Sequence, residues 1–344
     1  MKSSPAAPLA TRSLLRRRNL AAFAKVVLGV AALCTLVFFS KIDLKALGEL
    51  FKQPAAVVSV ALLFATLPLG ALRWMVLLRT LGFEISFRKL YHVIAITNLF
   101  NALLIGPLGG DVARVVYVWR IVGHSSASLA SSIVADRLFG LFSAFCFALI
   151  YTAFNWSWMK DDAALFALGT SVALVFFGMI ALAGVVLLTP NFIRPLERRV
   201  MGWPRLAPLL GWVDRTVRSV RVWPLSLLSV LLLALLTQAV TVLSVLVIGN
   251  ALGIHALRSE DYMLAVPVTL VANSLPLTPN GLGVGEAAFD QICRWLAPSS
   301  QNVSFSNIFF AFRILTTIAS LSGLVSFIIY RNADVSEVAG ETAS

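Results

Sequence analysis

Several ionisable side chains lie within apolar stretches of this chain, where they could bind an anion, a cation or a proton. A charge at the centre of a membrane helix costs about 2.5–3.5 kcal/mol, so each needs an opposite charge or water. Adjacent helical residues point in different directions, so we expect Asp136 and Arg137 each to find a partner on another helix. The set comprises Arg73, Asp136, Arg137 and Arg313, with Asp111 and Glu286 at the ends of two glycine-rich stretches.

Two glycine-rich polar stretches, 98–111 and 273–286, interrupt the apolar sequence, one in each half. Lipid offers no hydrogen bonds, so irregular backbone persists at membrane depth only beside protein or a wet cavity. We therefore predict non-helical backbone near Gly109 and Gly283, and paired broken segments of this kind point to a transport site. The candidate residues are Asn98, Asn101, Gly109, Gly110 and Asp111, and then Asn273, Asn280, Gly281, Gly283, Gly285 and Glu286.

These residue types could bind an anionic or a cationic group. Glycines leave backbone N–H groups and helix ends open, which suits an anion, whereas carboxylates suit a cation or a structural arginine. A guanidinium binds phosphate through two hydrogen bonds and keeps its proton. The candidate phosphate contacts are therefore the side chains of Arg73, Arg114, Arg137 and Arg313. The carboxylates of Asp111, Asp136 and Glu286 would hold these arginines, or bind a headgroup amine or a coupling proton.

The alternative for these charges is a purely structural role, as packing salt bridges or as side chains that reach the membrane surface. Helical spacing also allows two ion pairs within single helices. These are Asp111 with Arg114 at i,i+3 and Asp290 with Arg294 at i,i+4.

The composition predicts an all-α integral membrane protein. Of 344 residues, 59% are hydrophobic and only 13% charged, whereas soluble domains carry about a quarter charged residues. The formal net charge is +12, but the arginines flank apolar spans. We therefore interpret them as determinants of membrane topology, with some contacting anionic lipid headgroups, and we expect no nucleic-acid partner.

The apolar segments predict about six full spans and two re-entrant hairpins, eight hydrophobic segments in all. We expect a basic cytoplasmic N-terminus at 1–19, a single transmembrane domain at 20–331 and a disordered polar tail at 332–344. The two halves share the order asparagine, apolar stretch, glycine break and carboxylate, which would fit an inverted repeat. The full spans lie at about 20–40, 54–78, 127–153, 164–189, 224–252 and 305–330, and the glycine-broken windows at 90–109 and 262–283.

The distribution of arginines favours re-entrant hairpins over full crossings. The connection 190–223 carries seven arginines and would lie outside if window 90–109 crossed the membrane completely, against the positive-inside tendency. If both broken windows dip in and return, this connection and Arg331 lie inside with the N-terminus. The mixture of apolar residues and arginines in 190–223 fits either an amphipathic surface helix or an ordinary basic loop.

Residue patterns for catalysis and metal binding are missing from the sequence. The three cysteines and three histidines are dispersed, with no HExxH pattern and no nucleophile beside a base. No Walker A pattern is present either, so we expect no direct use of ATP. We therefore predict no metal, no cofactor and no enzymatic activity.

The motifs resemble those of the lysylphosphatidylglycerol synthase transmembrane region family, also called flippase-like membrane proteins. The resemblance covers about residues 20–330. One departure is Asn280, where many relatives would carry glycine, although asparagine tolerates a positive φ. The matching motifs are Ala71-Leu-Arg73-Trp74, Pro107-Leu-Gly-Gly-Asp111 with Arg114, 130–137 ending in Asp136-Arg137, Pro279-Asn-Gly-Leu-Gly-Val-Gly-Glu286, and Arg313.

The resemblance implies a multi-span protein of the cytoplasmic membrane that moves a phospholipid or lipid-linked substrate between leaflets. Its implied partners are membrane lipids with anionic headgroups and a separately encoded lipid-modifying enzyme. Two-part relatives continue into a soluble aminoacyl transferase domain, for which this chain leaves no room, so we expect no lipid aminoacylation. The alternatives are a membrane-embedded enzyme acting on a lipid-linked substrate, a non-catalytic partner of such an enzyme, and an ion or small-solute transporter.

Overall fold

The described part of the protein consists of helices joined by short connections. The computed structural model describes residues 44–103, 107–122, 126–188, 224–275, 278, 281–300 and 302–329. The helices are α1 Leu44–Leu50, α2 Pro54–Thr80, α3 Phe87–Leu103, α4 Pro107–Val122, α5 Ser126–Met159, α6 Ala163–Leu188, α7 Pro224–Ala251, α8 Tyr262–Asn273, α9 Val284–Leu296 and α10 Ser306–Ser320, with a 3-10 turn at Ser259–Asp261. The predicted all-α class is confirmed.

Five helices are long and apolar enough to cross a membrane, in the part of the chain that is described. They are Pro54–Thr80, Leu129–Met159, Ala163–Val185, Leu225–Ala251 and Ser306–Ile329. Each coincides with a predicted full span, because a run of about 20 apolar residues is a local property of the sequence. The sixth predicted span, the basic N-terminus, the 190–223 connection and the polar tail lie outside the described residues.

Each glycine-rich stretch joins two short helices rather than lying in one long helix. Helices α3 and α4 pack against each other, as do α8 and α9. The rise of 1.5 Å per residue makes α3 about 25 Å and α8 about 18 Å long, less than the hydrocarbon core of about 30 Å. Both stretches therefore contain a helix–break–helix unit.

The two consecutive glycines of the first stretch lie within a helix. Helix α4 already begins at Pro107, where proline fits the first helical position because no N–H is needed there. Gly109 is thus helical, and the prediction of non-helical backbone is wrong at this residue, whereas residues 104–106 lie outside the described part of the chain. In the second half, Gly281 and Gly283 have φ angles of 66° and 81°, so the predicted irregular backbone near Gly283 is confirmed.

Both helix–break–helix units pack against a central helix pair. Helices α2 and α7 make the most extensive contact in the described protein, and α2 also packs against α3, α5 and α10. One apolar core joins the end of α2 to α3, α4 and α5 around Trp74. A second joins α7, α8, α9 and α10 around Phe309. Helix α10 contacts α3, so it links the two units.

Gly323 allows the span Ser306–Ile329 to approach α3 closely. A Cβ atom there would meet the carbonyl oxygen of Ala95 and the Cβ of Leu99. Because a backbone atom cannot move aside alone, we expect Gly323→Ala to lower the free energy of unfolding by about 1–3 kcal/mol. Thermal unfolding in detergent would measure this. Gly178→Ala on α6, where a Cβ meets nothing within 4 Å, should cost nothing, and equal losses would refute the close-contact explanation.

Candidate functional site

In the first half, one aspartate on α5 holds two arginines from other helices. Arg73 Nε on α2 donates to Asp136 Oδ1 at 2.6 Å, and Arg114 Nη1 on α4 donates to Asp136 Oδ2 at 3.0 Å. All three side chains are buried, with exposed fractions of 13%, 10% and 5% for Arg73, Arg114 and Asp136. The prediction that Asp136 pairs with another helix is confirmed. These three residues are called the arginine–aspartate triad below.

A tryptophan fixes one arginine of this triad. The Arg114 guanidinium lies over the Trp74 ring at 4.6 Å from its centroid, a cation–π contact. Trp74 itself is fully buried and donates from Nε1 to Ser132 Oγ at 2.9 Å. The neighbouring residues Arg73 and Trp74 therefore both belong to this site: Arg73 pairs with Asp136, and the Trp74 ring packs against Arg114.

The carboxylate that ends the first glycine-rich stretch pairs with the residue after Asp136. Arg137 Nε donates to Asp111 Oδ2 at 2.6 Å, so Arg137 also has its predicted partner on another helix. This pair is more exposed, with side-chain fractions of 44% for Arg137 and 20% for Asp111. The local pair of Asp111 with Arg114 does not form, because both side chains have closer partners on α5.

In the second half, the carboxylate after the glycines pairs with an arginine on α10. Arg313 Nε donates to Glu286 Oε1 at 2.6 Å, and Arg313 Nη2 donates to Glu286 Oε2 at 3.2 Å. Glu286 Oε2 also accepts the backbone N–H of Gly283 at 2.9 Å, which caps the start of α9. The side chains are 2% exposed for Glu286 and 13% for Arg313. Arg313 is therefore held by a buried two-point ion pair.

The same arginine ties the second break together. Arg313 Nη2 donates to Asn273 Oδ1 at 2.9 Å and to the Gly281 carbonyl oxygen at 3.1 Å. Asn273 ends α8 and Gly281 lies in the break, so one guanidinium joins both sides of the break to α10. Asn280 lies outside the described residues. The predicted local pair of Asp290 with Arg294 forms at 2.6 Å near the end of α9.

The lack of a side chain at two glycines lets asparagine side chains pack directly against the backbone. The Gly110 N–H donates to Asn101 Oδ1 at 3.1 Å, and a Cβ on Gly110 would meet that amide and the Thr97 carbonyl. A Cβ on Gly281 would meet the side chain and carbonyl oxygen of Asn273. The N–H groups of Gly110 and Gly283 are thus bonded inside the protein, and these two amides are not open to an anion.

A cavity of about 360 Å³, with polar groups on a largely apolar wall, lies where the two helix–break–helix units face α2, α7 and α10. It brings together four predicted site residues, Asn98 and Asn101 from the first half and Asn273 and Arg313 from the second. The other polar groups on its wall are hydroxyls, none of which was predicted from the sequence. The lining hydroxyl residues are Thr66, Thr241, Thr316, Thr317 and Ser320.

The position of two of these hydroxyls beside Arg313 could have been predicted from the sequence. Thr316 and Thr317 follow Arg313 at i+3 and i+4, which places all three on one face of α10. By contrast, Arg73, Asp111, Arg114, Asp136, Arg137 and Glu286 do not line the cavity, in the part of the chain that is described. The predicted residues therefore divide into a cavity group and ion pairs that hold the helices around it.

The sequence model described as the lysylphosphatidylglycerol synthase TM region matches residues 23–320. The chain belongs to this family. It is thus a multi-pass membrane protein of a family concerned with lipid handling. The comparisons with curated proteins and with solved structures gave no match.

In this member of the lysylphosphatidylglycerol synthase TM region family, the two halves carry corresponding ion pairs. Each helix–break–helix unit has a carboxylate near the start of its second helix, and that carboxylate pairs with an arginine on the following long helix. The separation in sequence is 26 residues for Asp111 and Arg137, and 27 residues for Glu286 and Arg313. This correspondence extends the shared pattern of the sequence to contacts between side chains, and the inverted repeat itself stays a prediction.

A third polar cluster lies at the connection between α7 and α8. Tyr151 Oη on α5 donates to Asp261 Oδ1 at 2.7 Å, and Arg258 Nη2 donates to Tyr151 Oη at 3.0 Å. The Arg258 guanidinium also lies over the Trp158 ring. Asp261 is buried and bonds the connection to α5.

Proposed function

We propose that the protein moves a phospholipid or a lipid-linked substrate between the leaflets of the cytoplasmic membrane. The observation that carries the proposal is the cavity among apolar helices, because asparagines from both halves and Arg313 lie on its wall. Membership of a lipid-handling family supports a lipid as the substrate. The cavity would hold the headgroup while the acyl chains stay in the bilayer.

The size of the cavity supports a headgroup rather than a whole lipid. Its volume of about 360 Å³ is at the lower end of the range for small-molecule sites, about 300–1,000 Å³. Each of the five lining hydroxyls donates to a carbonyl oxygen of its own helix, so the hydroxyls offer acceptor oxygens. The side-chain amides of the lining asparagines carry NH2 donors, so the two groups together can replace part of the water around a polar headgroup. Arg313 adds donors, but Glu286 already neutralises its charge. Headgroup binding in the cavity would therefore rest mainly on hydrogen bonds.

Re-entrant hairpins complete the proposal. Helices α3 and α8 are each shorter than the hydrocarbon core and turn back onto α4 and α9, so both breaks would lie at membrane depth. Entry of the two hairpins from opposite faces, as the arginine distribution favours, would place the cavity between the leaflets. The translocase would then act without covalent chemistry, and so not as an enzyme.

A leaflet-accessibility assay in proteoliposomes tests the proposed function. Purified protein is reconstituted with several headgroup-labelled phospholipids, and the fraction exposed to a membrane-impermeant quencher is followed in time. We expect protein-dependent exchange of at least one lipid. No exchange of any lipid, together with uptake of a water-soluble solute by the same vesicles, would favour a solute transporter. No exchange with stable co-purification of a lipid-modifying enzyme would favour a non-catalytic partner.

Neutralising Asp111 separates a role in transport from a role in stability. Because the Asp111–Arg137 pair is partly exposed, Asp111→Asn should change the free energy of unfolding by no more than about 1 kcal/mol. We expect lipid exchange to be abolished, because the pair holds the start of α4 against α5 beside the first break. Glu49→Gln, which removes the same charge from an exposed pair with Lys52, is the matched control. Exchange at the wild-type rate in Asp111→Asn would remove Asp111 from the site.

A further inference from the structure

The arginine–aspartate triad carries one positive charge more than it carries negative charges. The other ion pairs among the candidate site residues, Asp111 with Arg137 and Glu286 with Arg313, contain one acid for each base. In the triad, Arg73 and Arg114 share the single carboxylate of Asp136. The net charge of +1 is therefore concentrated where α2, α4 and α5 meet.

Both arginines of the triad have N–H groups that make no hydrogen bond within the described protein. Arg114 is 8% exposed, and its Nε atom is buried without a hydrogen-bond partner in the described protein. Within the same residues, the hydrogen bond of Arg73 is made through Nε and that of Arg114 through Nη1. Other N–H groups of both guanidinium ions thus remain for a ligand with several acceptor oxygens.

The burial of the triad makes an unbalanced charge costly. Arg73 and Arg114 have side chains that are 13% and 10% exposed, and both lie on helices packed among apolar residues. A charge in such surroundings is stable only with a counter-ion, hydrogen bonds or water. The Trp74 ring under Arg114 offsets part of the charge, but it offers no hydrogen-bond acceptor of the kind that guanidinium N–H groups need.

We propose that the triad is an anion site for the phosphate of a phosphodiester, separate from the cavity. A phosphodiester carries one negative charge, which matches the excess of the triad, and its oxygens accept from guanidinium N–H groups in the paired geometry that arginine favours. The source is a lipid headgroup or a free phosphate compound. The site does not depend on the proposed function, because a bound lipid phosphate could hold these helices in a protein that transports nothing.

Ligand-dependent thermal unfolding of the purified full chain in a phosphate-free detergent tests this site. Phosphatidylglycerol, diacylglycerol, inorganic phosphate and chloride at matched ionic strength are titrated separately, and the midpoint shift gives the apparent Kd. We expect phosphatidylglycerol or phosphate to raise the midpoint, and diacylglycerol and chloride not to do so. A response to phosphatidylglycerol alone identifies a lipid source, and a response to inorganic phosphate alone identifies a free one.

Arg114→Gln removes the excess charge but leaves Arg73 and Asp136 as a balanced pair, so this variant should fold. We expect its apparent Kd for the phosphate ligand to rise at least about tenfold, because a charge-assisted donor is lost. Arg73→Gln is the second variant, and we expect its apparent Kd for the phosphate ligand to rise as much as that of Arg114→Gln. Arg294→Gln, from the balanced pair with Asp290, should bind as the wild type does. Wild-type binding in both triad variants, or an equal midpoint shift with chloride, would overturn the site.

Discussion

Glu286→Gln is expected to lower the free energy of unfolding by about 3–5 kcal/mol and to abolish lipid exchange. The substitution leaves the Arg313 guanidinium buried without its counter-charge, and breaking a buried pair from one side carries a cost of this size. The Gln side chain can still accept the Gly283 N–H, so the loss reports the charge rather than the helix cap. Thermal unfolding in detergent measures stability, and proteoliposome exchange measures transport.

A double-mutant cycle separates charge imbalance from other effects. Arg313→Gln alone should also be destabilising, because it leaves the Glu286 carboxylate buried and unpaired. Glu286→Gln with Arg313→Gln should lose less stability than the two single losses together, since no buried charge remains. Glu260→Gln is the control, because its pair with Arg258 is about half exposed and should contribute less than about 1 kcal/mol. Additive losses in the cycle would show that Glu286 and Arg313 act independently.

Gly281→Ala is expected to destabilise the second break more than its backbone angle alone explains. Gly281 has a φ of 66°, which costs an alanine about 1–2 kcal/mol, and a new Cβ would also meet Asn273. Gly253 has a similar φ of 70°, but a Cβ there meets nothing within 4 Å. Gly253→Ala therefore measures the strain of the positive φ by itself.

The difference between these two glycine variants reports the contact with Asn273. We expect Gly281→Ala to lose about 1–3 kcal/mol more than Gly253→Ala in thermal unfolding, as overpacking commonly does. It should also impair lipid exchange, because Asn273 lines the cavity and accepts a hydrogen bond from Arg313. Equal stability losses with normal exchange in both variants would refute the proposed role of this close contact.

The described membrane spans and the place of the second break could be predicted from the sequence. Hydropathy is a local property, and the free energy of placing a helix in lipid depends mainly on its own residues, so the span at 54–78 agrees with α2. The second break was placed correctly because glycine is the residue that adopts a positive φ readily. The prediction failed at Gly109, since glycine is tolerated in a helix where a neighbour approaches closely, as Asn101 approaches Gly110.

The residue types at the candidate site were also readable in the sequence, but their partners were not. Helical spacing suggested Asp111 with Arg114, whereas each bonds to α5 instead. A pair of long side chains on different helices depends on how those helices pack, and spacing along one helix contains no information about that. The cavity hydroxyls were missed for the same reason, because a threonine in an apolar helix has no feature that identifies which neighbour it faces.

The sequence by itself determined the class of the protein, an all-α membrane protein with two interrupted segments and buried charges that require partners. Tertiary structure alone decided which charges balance. It placed Glu286 with Arg313 beside the cavity and gave Asp136 two arginines at once. The physical reason is that the cost of a buried charge is fixed by its residue type, whereas its compensation depends on distances of a few ångströms between helices far apart in the chain.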